Sequence, residues 1–209
     1  MVGARSGFRS DAMAISDEVV SLAATRLPGH YDLDARADVL VVAPMHRGPA
    51  GIDELNDRLR ALLNPDGPAI PGTPLRVGDR VIQTRNNHER ELMNGEMGVV
   101  EHHDRERDRV LLACDDGRRI ALADSELDTM RLAHAVSVHK AQGSQAPATV
   151  VVLHRGHHVM LTRNLLYTAV TRAERTLRVV GTEASVRAAL GRHVQRASGL
   201  ERRLVAALR

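Results

Sequence analysis

Hydrophobic positions in this chain follow two different periods, and the switch between them divides it. Over residues 11–27, Ile15, Val19, Leu22, Ala23 and Leu27 recur at helical spacing behind a capping Ser10 or Asp11. The unbroken apolar run DVLVVAP (38–44) then predicts a buried strand. In GIDELNDRLRALLNP, Ile52, Leu55, Leu59 and Leu62 share one helical face, and Pro65 stops the helix because its ring removes a donor and clashes with the preceding turn. Helix, buried strand and helix together predict a three-layer α/β domain.

The pattern changes after GPAIPGTP, a breaker-rich stretch. RVIQT is a short strand, and Asn94-Gly95 and Asp115-Asp116-Gly117 are turn signals. Between and after them, MGVVEHH, DRVLLAC and RRIALAD alternate at about ten-residue spacing, which predicts a small antiparallel barrel inserted over 92–128. DRERDR (104–109), balanced in sign, reads as a solvated hairpin. Parallel-sheet grammar then returns: LAHAVSV, the strand ATVVVL, a helix over RNLLYTAVTRAE (163–174), the strand TLRVVG, and a last helix over 183–208. The expected division is 1–91 and 129–209 as two parts of one α/β domain, with 92–128 set into it.

Charge modifies this picture more than size does. The 209 residues, 43% hydrophobic, are enough for a sizeable core, and the net charge is only +3. From Arg163 to Arg209, however, ten arginines face three glutamates, a net of +7 that leaves −4 for the residues before. That end suits either a nucleic-acid surface or a solvated helix face. Aromatic content is 1%, so base stacking has only Phe8, Tyr31 and Tyr167 to use, and any nucleic-acid contact is expected to fall on phosphate and sugar. The single Cys114 forms no internal disulfide, which fits a reducing compartment. With no signal-peptide pattern and no membrane-length apolar run, a cytoplasmic protein with no membrane partner is expected.

Chemistry concentrates in two short segments. SVHKAQGSQ (137–145) holds the only lysine of the chain, Lys140, which is either a phosphate contact or a surface charge. Its Gln142-Gly143-Ser144 turn is a place where glycine lets backbone amides approach an anion. LLYTAVTRA puts Arg172 near the end of a predicted helix, either to reach a γ-phosphate across a cleft or to serve as an ordinary charge at a helix C-terminus. His154, His157 and His158 lack a neighbouring cysteine or carboxylate cluster, and His102 and His103 point to opposite faces of a strand, so no metal site is expected. A phosphate loop of the form G-x-x-x-x-G-K-[ST] is absent, since no glycine precedes Lys140 at the needed spacing. ISDEVV (15–20) is no acidic magnesium strand, because its periodicity is helical.

SVHKAQGSQ, followed about twenty residues later by LTRNLLYTAVTRAERTLRVVG, resembles the fifth and sixth motifs of superfamily 1 helicases, in the RecD-like branch. VLVVAPMHRGPAGIDELNDRLRALLNP and LRVGDRVIQTRNN…NGEMGVV are similar to the segments upstream in that branch, so the resemblance runs from about residue 12 to residue 190. It implies a second RecA-like motor domain without its own Walker A loop and with an inserted SH3-like barrel. It makes Arg172 the catalytic arginine finger and places Gln142 and Gly143 beside the nucleotide. Ser137, His139, Lys140, Arg47 and Asn86 become the expected DNA contacts, while Tyr167 and Thr171 shape the helix. The cofactor implied is ATP with Mg²⁺, held mainly by a separate Walker A-bearing domain in cis or in trans. The partner is single-stranded DNA, traversed 5′ to 3′. Gln145 stands where the family usually has Glu, and Ala146 where it has an acidic or aromatic residue. The expectation is the C-terminal half of an ATP-dependent helicase, inactive as an ATPase alone; the alternative is a non-catalytic module that binds single-stranded DNA or regulates a partner.

Overall fold

The structure, a computed structural model, describes residues 12–154 and 160–192. The Ser10/Asp11 cap, Phe8, His157, His158 and the end of the last predicted helix lie outside the described residues. Helix α1 (Ala12–Ser21) runs through a π turn (Leu22–Arg26) into α2 (Leu27–Tyr31), and β1 (Val39–Ala43) and α3 (Ile52–Leu63) follow. The later part of the chain adds β7 (Ala135–Ser137), β8 (Ala146–Leu153), α4 (Arg163–Val170), β9 (Ala173–Gly181) and α5 (Glu183–Gly191). β7, β1, β8 and β9 form one parallel sheet in that order.

Strand alternation sorts the core into two layers. Val39, Val41, Val150 and Val152 pack with Ile15, Val19, Leu55 and Leu59 of α1 and α3. Leu40, Val42, Val151 and Leu153 pack on the opposite side with Leu165, Leu166 and Ala169 of α4 and Ala189 of α5. This is the three-layer arrangement that the apolar runs predict.

Between α3 and β7 lies a five-stranded antiparallel sheet in the order β5-β4-β3-β2-β6. Its strands are β2 (Arg80–Gln83), β3 (Met97–Asp104), β4 (Arg109–Cys114), β5 (Arg119–Ala123) and β6 (Met130–Leu132). A bulge between Val100 and His102 bends β3, and Val100, Leu112, Leu122, Leu127 and Met130 fill the interior. Gly98 is required here, because a Cβ would sit 2.4 Å from the Ala113 carbonyl oxygen of the adjoining strand. The sheet reaches past 92–128 on both sides. RVIQ pairs with β3 and β6, and LAHAVSV is two strands in two sheets, the chain crossing over at Ala133-His134. Periodicity misses that crossing because both halves are apolar and the switch costs only two residues.

The edge strand β7 is closed off by one side chain. Asn56 on α3 donates Nδ2 to the Ala135 carbonyl at 2.8 Å and accepts the Ala135 N–H on Oδ1 at 2.9 Å, in a buried position. Asn56→Ala leaves both backbone groups without partners and is expected to destabilise the chain by about 2 kcal/mol, read from the midpoint of urea unfolding.

Candidate nucleotide and nucleic-acid interface

All four strands of the parallel sheet point the same way, so their ends define two edges. Ala43 and Ser137 are register partners at the C-terminal edge, while Ala146 and Ala173 pair at the N-terminal edge. Residues 138–145 carry the chain from one edge to the other. Val138 and Ala141 are buried and pin this segment, whereas His139, Gln142, Gly143 and Gln145 are exposed. Helix-like bonds hold its shape: Ala141 N–H donates to the Ser137 carbonyl at 2.9 Å, Lys140 N–H to Ser137 Oγ at 3.2 Å, and Ser144 N–H to the Ala141 carbonyl at 3.2 Å. Gly143 takes φ +91°, a left-handed value that strains any other residue, and faces open space.

Arg172 stands at the N-terminal edge, against this same turn. α4 ends at Val170, so Arg172 lies in the tight turn between helix and strand rather than on a helix running to 174. The reason is local: β9 begins pairing with β8 at Ala173, and the Arg172 carbonyl accepts the Ala146 N–H at 3.0 Å. The half-buried guanidinium is fixed by its own chain. Nε donates to the Thr168 carbonyl at 3.0 Å, Nη1 to the carbonyls of Ser144 at 3.1 Å and Ala141 at 3.4 Å, and Nη2 to Thr171 Oγ1 at 3.1 Å. Thr171 thus shapes the turn and orients Arg172. Tyr167, in contrast, is 69% exposed.

At the other end of the segment, Lys140 Nζ donates to Asn94 Oδ1 in the antiparallel sheet's 84–96 loop. The Asn94 N–H in turn donates to Asn86 Oδ1 at 2.9 Å. Ser137, Lys140 and Asn86 are therefore brought into one cluster, with His139 exposed beside it. Asn94, which completes that cluster, is visible in the sequence only as half of an Asn-Gly turn. Arg47 leaves the same C-terminal edge after β1 but stays apart, in a hollow shared with Asp53, Glu54 and Asp57. Three carboxylates there weaken its attraction for a phosphate.

A cleft of about 310 Å³ lies between the antiparallel sheet and the Gly143–Gln145 turn. Glu96, Asp115, Asp116 and Glu174 line it against the single guanidinium of Arg118. The Arg118 backbone N–H and then its guanidinium, both bonded to Asp116, hold that carboxyl below the usual range. A lining with this majority of carboxylates disfavours a nucleic-acid backbone in the cleft itself. Cys114, also on the cleft, is buried, and burial pushes its thiol pKa up, as expected for a packing residue. Among the described residues no group of three or more His, Cys, Asp or Glu is placed to hold a metal ion, and no helix is long and apolar enough to cross a membrane.

These two motif segments on one parallel sheet define a class. Residues 132–180 match the UvrD-like helicase C-terminal domain, and residues 55–113 match the SH3 domain of ATP-dependent RecD-like DNA helicases. The chain is 38% identical over 175 residues to the ATP-dependent RecD2 DNA helicase of Deinococcus radiodurans, covering 82% of this chain and 24% of that protein. It is 40% identical over 169 residues to the RecBCD enzyme subunit RecD of Mycobacterium tuberculosis, covering 76% of this chain and 28% of that one. The chain thus groups with the C-terminal region of RecD-like helicases and spans about a quarter of the length of these curated relatives. The fold is also that of the Pif1 helicase from Bacteroides crystallised with ADP-AlF3 and ssDNA, with a TM-score of 0.54 at 14% identity over 99% of this chain and 56% of the Pif1 chain.

Proposed function

We propose that this chain is the second motor half of an ATP-dependent DNA helicase. It would contribute Arg172 as the finger and hold single-stranded DNA through Ser137, His139, Lys140 and Asn86. The observation that carries this reading is the course of residues 137–146. One short segment touches Arg172 through the carbonyls of Ala141 and Ser144 and touches the antiparallel module through Lys140. The segment thus joins the Arg172 turn to the antiparallel module through side-chain contacts at both ends. ATP and Mg²⁺ would be held mainly by a Walker A-bearing domain docked in cis or in trans. The exposed Gln142-Gly143 turn fits the rim of such a site: it has room on its outer side and a guanidinium beneath it. When bound, the nucleotide supplies the free energy of phosphoryl transfer. The residues of this chain would only orient the γ-phosphate and balance its charge, leaving the attacking water its access. Alone, the chain would not turn over ATP. By the same reading the motor would travel 5′ to 3′.

One feature favours the second reading, a non-catalytic DNA-binding or regulatory module: the Arg172 guanidinium donates to four acceptors of its own chain. The two readings share the DNA contact, and titration of a fluorescent oligothymidylate tests it. Affinity is expected to fall steeply with salt, and Lys140→Ala to make the log–log salt slope shallower by about 0.7, the value for one single-strand phosphate contact. Salt-independent binding, or a slope that Lys140→Ala leaves in place, would remove the proposed interface.

A further inference from the structure

The largest fully buried side chain in the described residues is a charged one, Arg80, at 2% exposure. It stands at the start of β2, where the antiparallel module meets the parallel sheet. Nη1 donates to the carbonyls of Arg36 at 2.8 Å and Ala37 at 3.2 Å, both in the turn before β1. Nη2 donates to Asp115 Oδ2 at 2.7 Å, in the hairpin joining β4 to β5. The Arg80 carbonyl accepts the Ala133 N–H at 2.9 Å, where the chain returns to the parallel sheet. A single residue therefore bonds three places: the turn before β1, the β4–β5 hairpin of its own sheet, and the crossing back to the parallel sheet at Ala133.

The contacts continue from that hairpin. Arg118, three residues beyond Asp115, donates Nη1 to the Glu91 carbonyl at 2.8 Å and Nη2 to Glu96 Oε1 at 3.0 Å. Glu91 and Glu96 bracket Asn94, the residue that accepts Lys140 Nζ. Stability alone does not call for the guanidinium: its Nε is buried without a partner, and a methionine would fill similar space without the cost of burying a charge. What a guanidinium adds is direction, since its planar fork fixes the angle between the groups it bonds.

We propose that Arg80 is a positioning residue. By clamping the β4–β5 hairpin against the turn before β1, it sets the 91–96 loop at the height where Asn94 holds Lys140 for DNA. The link to DNA rests on the proposed function; the clamp itself does not. Hydrogen exchange of the 209-residue chain reads the clamp. In Arg80→Met, amides of 91–96 and 115–118 are expected to exchange about tenfold faster while those of β1 and β8 keep their rates. Arg80→Lys, with a charge but no fork, should restore part of the protection. Asp115→Asn, at a more exposed position that spares the core, should accelerate the same two segments less.

Oligothymidylate binding reads the consequence. Arg80→Met should weaken it about tenfold, and the double variant with Asn94→Ala should be no weaker than the weaker single variant, because both changes cut one path. Uniform acceleration across both sheets, unchanged exchange at 91–96, or losses that multiply in the double variant would overturn the proposal. If the unaltered chain fails to bind oligothymidylate, the functional reading falls, and the exchange data still decide whether Arg80 holds the loop.

Discussion

Arg172→Ala is expected to cut ATP turnover by about 10³- to 10⁵-fold once this chain is paired with a motor domain that bears a Walker A loop. The loss should fall on kcat, with KM for ATP little changed, because a finger acts on the charge that develops as the phosphoryl group transfers rather than on ground-state binding. Arg172→Lys should recover little, since an ammonium cannot reproduce the planar fork. To reach a phosphate the guanidinium must exchange its bonds to the Ala141 and Ser144 carbonyls for bonds to the nucleotide. Charge-assisted bonds to a phosphate are stronger than bonds to neutral carbonyls, so the exchange is favourable when a nucleotide is docked. Steady-state hydrolysis by the paired domains measures this directly. Turnover that survives Arg172→Ala would leave the DNA-binding module as the better reading.

The second large effect concerns acid. His134, at the crossing between the two sheets, is 2% exposed, and neither ring nitrogen has a hydrogen-bond partner. Burial above all, and then the positive charges of Arg80, Arg36 and Arg60, lower its pKa from 6.5 to about 3. The folded state thus keeps the imidazole neutral, whereas the unfolded chain takes up a proton below pH 6.5. Stability that is present at neutral pH must drain away as pH falls from that value toward 3. The expected loss from this group is about 2 kcal/mol by pH 5 and about 4 kcal/mol by pH 3.5, relative to pH 7. His134→Leu, close in volume and without a titrating group, should flatten this part of the acid limb and cost little at pH 7. Urea midpoints of the two proteins across pH 7 to 3.5 provide the comparison, and parallel curves would show that His134 is not the group responsible.

Much of the fold could be read from periodicity. The valine-rich β1 and β8 announce a sheet covered on both faces, and the stripe from Ile52 to Leu59 announces α3. The extent of the antiparallel module could not be read this way: RVIQT is legible as a strand but its pairing with β3 and β6 is not, and Ala133-His134 hides the change of sheet inside one apolar run. For the site, the two motif segments were legible by their residue types, and their meeting at Arg172 follows from parallel strand order. The partners were not. Asn94, Asn56 and Arg118 act through distances set by loops and hairpins, and single-residue spacing carries no information about contacts between residues as far apart as Lys140 and Asn94. The helical placing of Arg172 failed for a related reason, since strand pairing at Ala173 overrides the helix preference of TRAE.

Because 28 of the 29 cationic side chains are arginine, Lys140 is the chain's one side-chain amine, and it sits at the joint between the two sheets. The molecule thereby carries its own attachment point: an amine-directed fluorophore lands, among side chains, at this joint alone.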